Sequence, residues 1–199
     1  MKLEMTAVQK LARVLRILIV ALFVVNLIAL LLVPGLIFYS YDLETGAWIG
    51  VEDGLRHFAD LYHYEADDAM VWWLYGGFLV NLRFPQTAMI MFFLWLCGTC
   101  SAVMLWQARR VLDTILLGDT FSRKNAASMM RAAVCCFVIT AAALIRLVWS
   151  IAYYKSSVAL ISYNTLFIPV FLVAGLVFIV MSALFRQAAE LKEENDLTI

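Results

Sequence analysis

Charged side chains are scarce in this sequence: they make up 15% of its 199 residues, whereas 64% are hydrophobic. Soluble globular domains contain about 25% charged residues, so this scarcity excludes an ordinary soluble domain. Apolar runs of about twenty residues, the length that crosses a hydrocarbon core of roughly 30 Å, predict transmembrane helices. The first run extends well past a typical signal-peptide core and lacks a small-residue cleavage site, so we expect an uncleaved first span.

Enzyme motifs are missing as well. The sequence contains no Ser/His/Asp arrangement, no phosphate-binding glycine loop and no pair of carboxylates within a span. Transporters normally need polar or broken helices at the membrane midplane, and these spans offer little beyond Arg146 and a proline near one end of two of them. We therefore expect a non-enzymatic protein that needs no cofactor.

Four apolar segments predict an all-α, integral membrane bundle that forms one domain over residues 1–199. The predicted spans are residues 14–39, 87–107, 132–154 and 164–185. The segments between and after them are an acidic and aromatic cap (41–85), a cytoplasmic loop (108–131) and a cytoplasmic tail (186–199). Pro34 and Gly35, near the end of the first span, predict a kink or a frayed end.

The distribution of charge predicts the orientation. Four Lys and Arg residues lie in the N-terminal lead, Met1 to Arg16, and five lie in the loop, but the cap has only two, against eight acids. The positive-inside rule then places both termini and the loop in the cytoplasm and the cap outside. We expect a multi-pass protein of the bacterial cytoplasmic membrane, with the lipid bilayer as its first partner.

The cap is expected to be a small folded unit. Residues 51–64 have the apolar spacing of a short amphipathic helix. Residues 69–82 are apolar but too short to cross a membrane, so a buried or interfacial segment is predicted, with Trp72, Trp73 and Tyr75 at headgroup depth.

The loop contains its own helix signals. Gly118 and Asp119 are expected to end one helix, and Ser122 is a good N-cap for the next. Asn125 stands three residues later, where a side chain can return a hydrogen bond as in a capping box. We expect Asp119, Phe121, Ser122 and Asn125 to shape this loop.

Arg146 is the only ionisable residue well inside a predicted span. A charge in that position is costly and usually faces a partner carboxylate, the bundle interior or water. Two interpretations remain open: pairing with a carboxylate, for which the cap acids are the nearest candidates, or snorkelling towards the headgroups.

Two further clusters have a chemical and a structural interpretation. Cys97 and Cys100 form a C-x-x-C motif, and Cys135 and Cys136 are expected at a depth close to Cys100. A redox role would need cysteines in an outer loop, which are missing, so packing by small residues is the preferred interpretation. In the cap, His57, Asp60, His63 and Asp67 recur at helical spacing, which makes them weak candidates for a metal site; a solvated helix face is the simpler interpretation.

The string V-L-D-T-I-L-L-G-D-T-F-S-R-K-N-A, Val111 to Ala126, resembles the cytoplasmic signature of the DUF2975 family of bacterial four-helix membrane proteins. The ending F-R-Q-A-A-E-L-K-E-E-N-D-L-T-I, from Phe185, resembles that family too, although Ala188-Ala189 stand where the family typically has a glycine. The family's function is unknown. The resemblance implies a membrane-bound partner of a small helix-turn-helix regulator.

We therefore expect a protein that senses an envelope or membrane condition and regulates a cytoplasmic transcription factor, without itself binding nucleic acid; it is also a possible homo-oligomer. A basic partner would suit the acidic tail, whose polar residues are Glu190, Glu193, Glu194, Asn195 and Asp196. The alternative is that the tail folds back on Arg109, Arg110 and Arg123 as an internal clamp. Other function classes are a small transporter or enzyme, or an immunity-type resistance protein, using Arg146 and the cap.

Overall fold

The structure is a computed structural model that describes residues 7–40, 56, 71, 73, 75, 77–118, 122–155 and 163–196. Within these residues it contains five α-helices and no strand. They are α1 (Ala7–Ser40), α2 (Gly77–Arg83), α3 (Pro85–Leu116), α4 (Arg123–Tyr154) and α5 (Tyr163–Asp196).

Four of these helices are long and apolar enough to cross a membrane: Lys10–Ile37, Pro85–Leu116, Arg123–Tyr153 and Thr165–Asn195. The all-α class with four transmembrane helices is confirmed. Most of the apolar side chains on these helices are exposed, and only 6% of the most apolar window in the first is buried. In a membrane protein this exposed apolar surface faces lipid, because lipid is the solvent at that depth.

The helices extend beyond the predicted spans. Hydrophobicity stops where the hydrocarbon stops, but helical structure continues wherever the residues favour it. The clearest case is α5, which runs through Ala, Leu, Lys and Glu residues to Asp196. Arg186 and Glu190 form an ion pair one turn apart on this extension, at 3.0 Å.

Chain contacts divide the molecule into two compact units, Met1–Asn26 with Thr99–Ile199 and Leu27–Gly98. The unit Leu27–Gly98 is built around Pro34, which lies inside α1. The helix does not end there; it continues to Ser40. We call the contacts of Leu30, Leu32, Pro34 and Gly35 with later side chains the proline cluster.

In the proline cluster, three later side chains donate hydrogen bonds to backbone carbonyls of α1. Proline has no N–H, so the carbonyl of Leu30, four residues earlier, loses its helical donor. The indole N–H of Trp95 donates to that carbonyl at 3.1 Å. Trp73 donates to the carbonyl of Leu32 at 3.2 Å, and the Asn81 amide donates to the carbonyl of Pro34 at 2.8 Å. In an apolar environment the Leu30 carbonyl needs such a donor from the protein.

Close packing accompanies these bonds. The indole of Trp73 lies so near Gly35 that a Cβ atom there would overlap it. A Cβ at Gly77 would lie 3.0 Å from the carbonyl oxygen of Pro34. Small residues let transmembrane backbones approach in this way. Asn81 is also buried, and its own carbonyl accepts a hydrogen bond from Thr87 at 3.1 Å.

The structure shows part of the predicted aromatic segment. Trp73 is 1% exposed, so it is a core residue of its unit, and its depth in the membrane stays a prediction. Hydropathy could not predict that Trp73 lies against Gly35. An interfacial and a core tryptophan have the same apolar ring and the same single N–H donor, so their sequence signal is identical. Tyr75 is exposed. Trp72, the predicted helix at 51–64 apart from Arg56, and most of the remaining cap before Gly77 lie outside the described residues.

In the other unit, α4 and α5 pack closely. A Cβ added at Gly175 of α5 would lie 3.1 Å from the Phe137 ring and 3.3 Å from Cys136 Cβ, so this glycine marks a tight contact. Cys136 donates a weak hydrogen bond to the Met104 thioether at 3.6 Å. Cys135 hydrogen-bonds with Cys100, which places these thiols together as expected. None of the four cysteines forms a disulfide bond.

Candidate functional site

The candidate site is where α3 ends, α4 begins and the polar part of α5 passes; we call it the loop–tail junction. It comprises Thr114 and Gly118 at the end of α3, Ser122 to Ala126 at the start of α4, and Ser182 to Glu193 on α5. Gly118 has φ = +82°, and its N–H donates to the Ile115 carbonyl at 3.1 Å. Glycine adopts this left-handed conformation without penalty, so the predicted break at Gly118 is confirmed.

Ser122 occupies the N-cap position of α4, as predicted. Its backbone is extended (φ = −128°, ψ = 148°), and its carbonyl accepts the Asn125 N–H at 3.0 Å. However, the side chain makes no capping hydrogen bond, and its Oγ is buried without a partner in the described part of the chain. The predicted capping bond is therefore wrong: an extended backbone is necessary for a cap but does not orient the hydroxyl.

Asn125 links two helices. It is 1% exposed, and its Oδ1 lies 2.8 Å from the Thr114 hydroxyl of α3. The same hydroxyl lies 2.7 Å from the Val111 carbonyl, so it can donate to either oxygen. A sequence reading that treats Asn125 as a local capping residue misses this contact, because Thr114 is eleven residues away across a turn.

A second buried contact ties α4 to α5. The hydroxyl of Ser182 donates to the Ala126 carbonyl at 2.8 Å, and both residues are buried. Serine in a transmembrane helix commonly bonds to a neighbouring helix in this way. The first turn of α4 is thus hydrogen-bonded both to α3, through Asn125, and to α5, through Ala126.

An ion pair within the junction joins the start of α4 to the tail part of α5. Arg123 Nη2 lies 2.7 Å from Glu193 Oε2, with side chains 63% and 57% exposed. This ion pair is a contact of the kind expected for the internal clamp, and Arg123 is the arginine that makes it. Arg109 behaves differently: its guanidinium lies over the Trp106 ring at 5.3 Å and 3.9 Å from Asp113. Asp113 also pairs with Arg16 of α1 at 2.8 Å, a contact that sequence spacing could not reveal.

The remaining predicted residues have varied positions. Arg146 is half-buried on α4, and Glu194 and Asn195 are exposed on α5. The residues outside the described part of the chain are Asp119, Phe121, His57, Asp60, His63 and Asp67, together with the side chain of Asp196. Among the residues that the structure places, no group of three His, Cys, Asp or Glu could hold a metal ion.

The family model described as "Protein of unknown function (DUF2975)" matches residues 58–199. The chain belongs to the DUF2975 family. The match begins well before the two strings that carried the resemblance, so it includes part of the predicted cap as well as α2 to α5. No curated protein and no solved structure matches the chain.

Proposed function

We propose that this DUF2975 protein is a non-enzymatic regulator of the bacterial cytoplasmic membrane. It would sense a condition of the envelope or membrane and pass it to a small cytoplasmic helix-turn-helix protein through the loop–tail junction. The observation that carries the proposal is the exposed Arg123–Glu193 ion pair, which holds the tail helix against the start of α4.

The orientation of this junction follows from charge. Basic residues are concentrated in the N-terminal part of α1 and at the facing ends of α3 and α4. The positive-inside rule assigns such ends to the cytoplasm. A soluble cytoplasmic partner would then reach both the tail and the loop.

The buried contacts of the junction suggest how a membrane signal would reach its surface. Because the first turn of α4 is bonded to Thr114 of α3 and to Ser182 of α5, a shift of either helix must move that turn or break a buried bond. Moving the turn changes the position of Arg123 relative to Glu193. The clamp would therefore be closed in one helix arrangement and open in another, which is the minimum that a two-state switch needs.

The tail has the surface chemistry of a docking element for a basic partner. Glu193 is more than half exposed even when paired, and Leu191, on another side of the same helix, is 67% exposed. Exposed ion pairs contribute only about 0.2–1 kcal/mol, so a partner that offers its own Arg or Lys can replace Arg123 at little cost. The exposed apolar side chain of Leu191, one turn from Glu194, would supply contact area to a partner that wraps the tail helix.

Site-specific photo-crosslinking in native membranes tests this proposal. A photoreactive residue replaces Leu191, and the matched control places it at Val177, which is similarly exposed but lies within the apolar part of α5. We expect position 191 to capture a small protein that contains a helix-turn-helix and binds DNA when released, and position 177 to capture lipid only. In a parallel affinity capture without the photoreactive residue, a chain truncated after Ala189 should lose the regulator.

Each outcome bears on the proposal. Capture of the same DNA-binding protein from position 191, with its loss after Glu193→Arg and its increase after Arg123→Glu, would identify the clamp as the controlled element. If position 191 captures only residues of the protein's own α4 and no soluble protein, the tail acts solely as an internal clamp and the regulator proposal fails.

A further inference from the structure

A groove lies between α4 and α5 beside the ion pairs of the tail. It has a volume of about 340 Å³ and is lined by Arg123, Ala126, Ala127, Met130, Ser182 and Arg186. The hydroxyl of Ser182 and the carbonyl of Ala126 are already bonded to each other. These polar atoms therefore satisfy one another, and the alanines and Met130 supply apolar contact.

The rim of this groove is cationic. Arg123 is the first residue of α4, and Arg186 lies where the apolar part of α5 ends. Both guanidiniums are well exposed, with 63% and 73% of each side chain accessible. They also stand near the N-terminus of α4, where the helix dipole favours an anion.

Position and chemistry select one kind of anion. The groove is apolar inside and has two Arg residues at its rim, and it lies at the end of two membrane-spanning helices. This order matches a lipid, whose apolar acyl chains end at a charged headgroup. Guanidinium groups bind phosphate oxygens through paired N–H donors. Basic pockets between transmembrane helices on the cytoplasmic side suit anionic headgroups, and the cytoplasmic leaflet supplies them.

The tail already places carboxylates on both guanidiniums. Glu193 pairs with Arg123 and Glu190 pairs with Arg186, at 2.7 and 3.0 Å. Glu190 and Glu193 are three residues apart on α5, so they lie on one face of the helix. A carboxylate and a phosphate on one guanidinium share its N–H donors and repel each other as like charges, so each weakens the binding of the other.

We propose that the α4–α5 groove binds the phosphate headgroup of an anionic glycerophospholipid through Arg123 and Arg186, in competition with Glu190 and Glu193. Lipid binding would then release the tail acids from the junction. This consequence rests on the proposed function, whereas the lipid site itself does not.

The test measures lipid retention by the purified full chain. The protein is exchanged into nanodiscs of phosphatidylcholine and phosphatidylglycerol, and the ratio of the two lipids that stay bound is read by native mass spectrometry. The double variant Arg123→Ala, Arg186→Ala should retain about tenfold less phosphatidylglycerol, the order expected when two basic contacts near a charged surface are removed. The control Arg110→Ala, Arg131→Ala makes the same charge change on exposed residues outside the groove and should retain it.

A second variant tests the competition. Glu190→Gln with Glu193→Gln removes the tail acids without removing either Arg, so phosphatidylglycerol retention should rise several-fold. Equal losses in the groove and control variants would show general surface attraction and overturn the site, and so would unchanged retention in the groove variant. Unchanged retention in the glutamine variant would overturn the competition. If inorganic phosphate alone displaces the lipid at equal concentration, the occupant is a free phosphate and the lipid assignment is wrong.

These measurements involve no soluble partner. Failure of lipid retention therefore leaves the crosslinking result at Leu191 intact, and failure to capture a regulator leaves the lipid result intact. A circular dichroism melt of each variant in the same nanodiscs distinguishes loss of the groove from loss of the fold.

Discussion

The proline cluster and the loop–tail junction both hold later parts of the chain to a helix, but with different contacts. In the proline cluster, neutral donors from Trp73, Asn81 and Trp95 reach backbone carbonyls of α1, and Trp73 and Asn81 are each 1% exposed. At the junction, buried hydrogen bonds hold the first turn of α4, and exposed ion pairs hold the tail.

The difference indicates which contacts can be exchanged. A buried carbonyl that loses its donor costs about 1–3 kcal/mol and cannot recover the loss from water or lipid. An exposed carboxylate that loses its arginine regains water or another cation, and loses about 1 kcal/mol or less. The proline cluster is therefore a permanent contact, whereas the tail contact suits a reversible one.

The largest expected effect follows from filling the space at Gly35. Gly35→Ala places a Cβ where the Trp73 indole lies, so we expect about 2–3 kcal/mol of destabilisation in an SDS-titration unfolding experiment. Ala29→Val adds bulk to an exposed position of the same helix and should have little effect. A Gly35→Ala variant as stable as wild type would contradict the tight packing.

A double-mutant cycle isolates the hydrogen bond that replaces the missing proline donor. Trp95→Phe should cost about 1–2 kcal/mol because the Leu30 carbonyl loses its donor. In a Pro34→Ala background the N–H of residue 34 can bond to that carbonyl, so the same change should cost about 1 kcal/mol less. Equal costs in both backgrounds would mean that the indole acts only through packing.

The tail ion pair should show a large change in dynamics with a small change in stability. Arg123→Glu is expected to lower the free energy of unfolding by under about 1 kcal/mol. Hydrogen exchange of the amides from Arg186 to Asp196 should nevertheless become faster, and the charge swap Arg123→Glu with Glu193→Arg should slow it again. Exchange that stays slow in Arg123→Glu would show that other contacts hold the tail.

The smallest effect is expected at Ser122. Its Oγ has no hydrogen-bond partner in the part of the chain that the structure describes, so Ser122→Ala should change stability by less than about 0.5 kcal/mol. Asn125→Ala, three residues later, removes the contact with Thr114 and should cost about 1–3 kcal/mol. A Ser122→Ala cost as large as that of Asn125→Ala would restore the capping role that the sequence predicted.

Several features could be read from the sequence because they depend on local composition. Apolar run length reflects the thickness of a bilayer, which is why four spans were predictable. The conformation of Gly118 and the N-cap position of Ser122 depend on residues within one turn, and both are as predicted. The helix ends were less accessible, because α5 remains helical to Asp196 after its hydrophobicity ends.

Contacts between distant residues were decided only by tertiary structure. The bonds Trp95–Leu30, Asn81–Pro34 and Ser182–Ala126 join residues 65, 47 and 56 positions apart. Trp, Asn and Ser each have many possible partners, and only the packing of helices selects one. The sequence by itself determined that this chain crosses a membrane four times, because burying polar backbone in lipid demands helices. Which carbonyls need an outside donor, and which arginine holds the tail, was decided by how those helices pack.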